Sequence, residues 1–168
     1  MQMHTKAMCV TGAILAFVVA VSSPASAAEM PAGSLEKLVA LYVPMQEALA
    51  GDAVAAVKEQ AAKVSAEAKA VLEADGEKPS IDAIERLEDV LAAAKGMTGP
   101  EIQQLREQFK PLSRAFARLV EKQAVTGHGI YYCPMADAYW VQKSGAVKNP
   151  YYGSKMLGCG EVVAKVTD

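Results

Sequence analysis

HGIYYCPMADAYWVQKSGAVKNPYYGSKMLGCGE, residues 128–161, is unlike anything that precedes it in the chain. It holds two of the three cysteines, five of the six tyrosines, the only tryptophan and one of the two histidines. Two sulfur clusters stand out, Cys133-Pro134-Met135 and Met156-Leu157-Gly158-Cys159, separated by an aromatic linker with Asn149-Pro150 and Gly153. The helical periodicity of the upstream chain is lost here. The stretch reads as a hairpin-like flap, turning in the Asn149–Gly153 region and bringing four sulfurs together. Glu161 to Val166 has the composition of a short strand.

Upstream, four segments repeat apolar residues at three- and four-residue steps, the mark of amphipathic helices. Leu35, Leu38, Val39, Tyr42, Met45 and Leu49 form the first stripe, with Ser34 as its N-cap and Pro44 as a kink. A second, alanine-rich helix follows Asp52, with Val54, Val57, Ala61, Val64, Ala68 and Val71 inward. Ser80 caps a third, which buries Ile81, Ile84, Leu87 and Leu91 and stops at Gly96. Thr98 and Glu101 suit a capping box for a fourth. That helix runs to about Val125 with Ile102, Leu105, Phe109, Leu112, Phe116, Leu119 and Val120 inward. The expected fold is therefore all-α: an antiparallel four-helix bundle over 28–127 with an irregular Cys/Met flap over 128–168.

Residues 1–27 read as an export signal. Lys6 precedes an apolar run, Pro24 breaks it, and Ala25-Ser26-Ala27 suits cleavage. The run is shorter than the ~20 residues a bilayer span needs. Export predicts a periplasmic protein. The mild acidic balance, 17 basic against 19 acidic residues, argues against a nucleic-acid partner.

For an exported chain, the pair Cys133 and Cys159 reads by default as a disulfide. Thiolate and thioether together instead suit Cu(I), and Ag(I) by the same softness, over hard ions. Residue types alone leave both readings open. No nucleophile–base pair points to an enzyme, and His128 reads as an exposed turn residue. Trp140 and Tyr139 are expected to plug the flap onto the bundle, and Tyr151 and Tyr152 to pack with their hydroxyls at the surface.

Tyr132-Cys133-Pro134-Met135-Ala136, Trp140-x-Gln142, Asn149-Pro150-Tyr151-Tyr152-Gly153 and Met156-Leu157-x-Cys159-Gly160 together resemble a periplasmic family of unknown function. Similar C-terminal segments occur in adaptor subunits of copper and silver efflux pumps. The resemblance implies Cys133, Met135, Met156 and Cys159 as metal ligands. It also implies Cu(I) as the ion and a periplasmic efflux or copper-trafficking protein as partner. The competing expectation is a helical envelope module stapled by Cys133–Cys159.

Overall fold

A computed structural model of the chain describes residues 29–165; the expected leader lies outside the described residues. Four helices come first: α1 (Ser34–Ala50), α2 (Ala55–Glu73), α3 (Ile81–Lys95) and α4 (Ile102–Lys122). Three strands follow, β1 (His128–Cys133), β2 (Ala138–Lys143) and β3 (Glu161–Lys165). They form one antiparallel sheet in the order β2-β1-β3. The fold is mixed α and β, which corrects the all-α expectation. No described helix is long and apolar enough to cross a membrane.

The expected flap is thus mostly sheet, for two physical reasons. Ile130-Tyr131-Tyr132 and Tyr139-Trp140-Val141 are β-branched and aromatic runs that suit a pleated, half-buried surface. The hairpin joining them turns at Pro134–Asp137, not at Asn149–Gly153. That turn has no Asn-Gly or Asp-Gly signature. Asp137 supplies its positive φ of 46°, a conformation that Asp tolerates better than most residues. The Asn149–Gly153 motif lies instead in a strap, residues 144–160, that connects β2 to β3.

The helix stripes are buried as expected in α1 and along most of α2 and α4. In α3 the stripe is rotated. Ala83, Leu87, Val90 and Ala94 are buried while Ile81 is 78% exposed. The Ser80 cap forms, its hydroxyl accepting from the Ala83 N–H at 3.1 Å. Other caps differ: Ser34 is the first residue of α1 behind a left-handed Gly33, and no side chain caps α4. Both internal prolines, Pro44 and Pro111, are exposed and their helices continue through them.

Successive helices pack on one another, and the sheet lies against α4 and, through β2, against α1. Tyr42 joins all three. Its ring stacks on Phe109 and tilts against Phe116, with centroids 5.3 and 4.3 Å away. Its hydroxyl shares a 2.6 Å hydrogen bond with Ser113 of α4 and accepts the Val141 N–H of β2 at 3.3 Å. Complete burial pushes the phenol far above its ordinary pKa. The Val141 bond also occupies a donor on the outer edge of β2, which would otherwise be open to another strand.

Tyr42→Phe keeps the ring but leaves the Val141 N–H and the buried Ser113 hydroxyl without this partner. The expected cost is about 1–3 kcal/mol, read as a lower urea midpoint at unchanged slope. An unchanged midpoint would mean that the hydroxyl does not join bundle and sheet.

Candidate functional site

Cys133 is the last residue of β1 and is fully buried, and Cys159 lies just before β3 and is half-buried. The register brings them together. Tyr132 pairs with Glu161 across β1 and β3, so continuing the ladder carries Cys133 to the level of Gly160, beside Cys159. Both are free thiols. Partial burial, then the neighbouring Cys133, push the Cys159 thiol above its ordinary pKa.

The methionines flank this pair from two turns. Met135 sits in the β1–β2 turn and is 64% exposed. Met156 ends the 3-10 turn Gly153–Met156, and its carbonyl accepts the Cys159 N–H at 3.0 Å. Tyr152 ties the two turns, donating its hydroxyl to the Met135 carbonyl at 3.2 Å. His128 lies at the opposite end of β1 from Cys133, about 16 Å away along the strand, with Nδ1 2.9 Å from the Thr126 carbonyl. Among the described residues no group of three or more His, Cys, Asp or Glu could hold a metal ion. A metal at this end of the sheet would therefore depend on the two thiols with thioether help.

Three residues position the site in roles that sequence reading did not give them: Asn149 was read as part of a turn, Asp52 as a cap for α2, which no side chain in fact caps, and Arg106 was not singled out. Asn149 is completely buried. Its Oδ1 accepts the N–H groups of Tyr151 and Tyr152 at 2.8 and 3.3 Å, and its Nδ2 donates to the Cys159 carbonyl at 2.7 Å. One side chain thus shapes the strap and seats Cys159. Arg106 of α4 anchors the strap to the helices. Its Nε donates to the Pro150 carbonyl at 2.9 Å. Its Nη2 reaches the Leu49 carbonyl at 2.8 Å and Asp52 Oδ1 at 2.6 Å. Asp52 in turn accepts the Ser154 N–H on Oδ2 at 3.0 Å. Gly153, at φ 57°, passes so close that a Cβ would overlap both Arg106 and Asp52. The Asn-Pro-Tyr-Tyr-Gly motif is the shape required to dock on this ion pair.

The Trp140-x-Gln142 motif also resolves into geometry. Residues two apart on a strand share a face, and Trp140 Nε1 donates to Gln142 Oε1 at 2.9 Å. The same oxygen accepts the Lys148 N–H at 2.9 Å, and Gln142 Nε2 donates to the Ala146 carbonyl at 2.8 Å. Trp140 is fully buried, stacked on Tyr131 and edge-on to Tyr151. Gly160, at φ 139°, lies against the indole where a Cβ would collide with it. The expected plug is therefore Trp140, whereas Tyr139 is 39% exposed. Tyr151 departs from expectation too, since its hydroxyl turns inward to the Tyr139 carbonyl. Arg106 could have been noticed three residues before Phe109 on the buried face of α4, but its partners are remote in sequence.

Asn149→Asp keeps the oxygen that accepts from Tyr151 and Tyr152 but loses the donor to Cys159. Loss of that bond, with a carboxylate oxygen left facing the Cys159 carbonyl in a buried site, costs at least about 1 kcal/mol and is expected to raise alkylation of Cys159 at least about fivefold with the helical circular dichroism retained. An unaltered rate would remove Asn149 from the site. Hydrogen bonds from the Ser154 hydroxyl, from Arg106 and from the Ser154 N–H hold the Asp52 carboxyl well below its ordinary pKa. A depressed carboxylate contributes stability above its unfolded value, near 3.9, and that contribution fades as pH falls below it. Asp52→Asn should flatten the decline in unfolding midpoint between about pH 5 and 2. A decline as steep as the parent's would mean that another carboxylate governs it.

No curated protein and no solved structure matches this chain. Residues 38–127 match the family described as Protein of unknown function (DUF3347). The match spans more than half of the chain and covers most of the helices; both cysteines lie beyond it. The chain belongs to that family.

Proposed function

We propose that this is a periplasmic protein that binds Cu(I), and Ag(I) by the same chemistry, and buffers it or hands it to a heavy-metal efflux system. The observation that carries the reading is the meeting of Cys133 and Cys159 at one end of the sheet, with Met135 and Met156 on the two adjoining turns. Two thiolates and a thioether are soft donors suited to a monovalent d¹⁰ ion. The raised Cys159 pKa means that metal must displace a proton, so binding strengthens as pH rises. The exposed Met135 gives an approaching partner a thioether to touch while Cys133 stays sheltered. The likeness of the C-terminal motifs to copper- and silver-efflux adaptor segments agrees with this, as does the export-type leader. We read the protein as a carrier and not an enzyme, because His128, the one histidine among the described residues, is far from the thiols.

The nearness of the thiols also favours a second reading, a permanently disulfide-stapled envelope module. An anaerobic Cu(I) titration of the reduced protein against a competing chelator separates the two. Tight one-to-one binding is expected, abolished in Cys133→Ser/Cys159→Ser. Met135→Ala should weaken it about tenfold, worth about 1.4 kcal/mol, without loss of helicity. Trp140, packed against Gly160 beside Cys159, gives an internal fluorescence signal for the same titration. No Cu(I) uptake by protein with two free thiols would refute the metal reading and leave the staple.

A further inference from the structure

We propose that Cys133 and Cys159 interconvert between a metal-binding dithiol and a disulfide, so that oxidation expels the ion and the bound ion blocks oxidation. The inference rests on the soft-metal reading of the same thiols. Directly opposed residues of an antiparallel pair have Cα atoms about 4.5–5.5 Å apart. A disulfide spans roughly 4.4–6.8 Å between Cα atoms, and Cys159 is one residue past direct opposition to Cys133, where a regular ladder would turn its side chain to the other face. The bend at Gly160, with φ 139°, sits between Cys159 and the strand. The thiols are unequal in access, Cys133 being fully buried and Cys159 half-buried. An external disulfide therefore meets Cys159 first, and Cys133 resolves the adduct from within.

The oxidant class is a small disulfide, RS–SR. The Cys159 thiol loses its proton, and its sulfur attacks one sulfur of the reagent. The RS–SR bond breaks, and the first RS⁻ leaves and takes up that proton. The Cys133 sulfur, its proton lost in turn, then attacks Cys159 Sγ. The mixed disulfide breaks, and the second RS⁻ leaves as RSH. Two protein thiols are oxidised and one RS–SR is reduced to two RSH. The sulfur electron pairs that would bind the ion are then committed to the S–S bond or lose their thiolate charge. Reduction restores them.

The full chain, purified as its host processes it, is equilibrated in glutathione buffers of increasing glutathione disulfide. Remaining thiols are then alkylated and the protein weighed by mass spectrometry. The parent should lose both thiols together and retain no glutathione. Cys133→Ser should hold one glutathione on Cys159, whereas Cys159→Ser should hold none. Ag(I) serves as the probe ion. Its affinity should fall at least 100-fold on oxidation and return on reduction, and the Ag(I)-loaded protein should oxidise at least tenfold more slowly. Glutathione persisting on Cys159 of the parent, with Ag(I) still bound by the reduced form, overturns this inference alone. Equal Ag(I) affinity before and after disulfide formation does the same. Disulfide formation in a protein that takes no Ag(I) in either state overturns both this inference and the soft-metal reading.

Discussion

One guanidinium holds the two halves of the protein in register. Arg106 is almost wholly buried between α4, the end of α1 and the strap. A charge removed from water is costly unless its donors find partners. Here the partners are two carbonyls and a carboxylate drawn from three different segments. Docking the strap satisfies that charge, and the strap carries Met156 and Cys159. The path from bundle to sulfur runs from Arg106 to Pro150, through the neighbouring Asn149, to the carbonyl of Cys159. The helices thus help place the soft atoms through hydrogen bonds, without supplying a ligand themselves.

The apolar side of the same join is aromatic. Phe116, Tyr42, Phe109, Tyr151, Trp140 and Tyr131 form a chain of neighbouring rings from the helices into the sheet. Offset and edge-on aromatic pairs add to the area that they bury. Each polar handle on Tyr42, Trp140 and Tyr151 also finds a partner. The sulfur end of the sheet therefore grows from a well-packed body while its outermost atoms, at Met135 and Leu157, face solvent. A sheltered thiol beside exposed soft or apolar groups suits both proposals made for the site: exchange of a metal ion with a partner, and entry of an oxidant at Cys159 before Cys133.

The family match over 38–127 takes on a structural meaning in this light. It contains Tyr42, Gln46 and Arg106 from the helices and Asp52 from the turn between α1 and α2, the residues that grip β2 and the strap. Gln46, for example, donates its Nε2 to the Lys148 carbonyl at 2.6 Å. The matched helices are thus a cradle whose polar contacts are aimed at the segment beyond them.

Much of this was legible from residue order. Three- and four-residue spacing located all four helices, because burial of one face is a local, periodic demand. Ser80 announced its cap, and the crowding of Cys, Met and aromatic residues after His128 marked the segment of interest. The strand at Glu161–Lys165 was expected, but the β1–β2 hairpin that it pairs with was missed because the lost helical period was taken for irregular chain, and because Pro134–Asp137 lacks the usual hairpin signature. The exposed face of Ile81 was misread because Ile81, Ile84, Leu87 and Leu91 recur at the same three- and four-residue steps as the buried Ala83, Leu87, Val90 and Ala94, so spacing alone does not fix the phase of a stripe. Residue order paired Cys133 with Cys159 but misplaced the turn that brings them together. The β1–β3 register does so instead, since strand pairing joins residues far apart in sequence. Likewise the roles of Arg106, Asp52 and Asn149 arise only from tertiary structure: a polar side chain names the bonds it needs, but folding alone determines which distant groups arrive to make them.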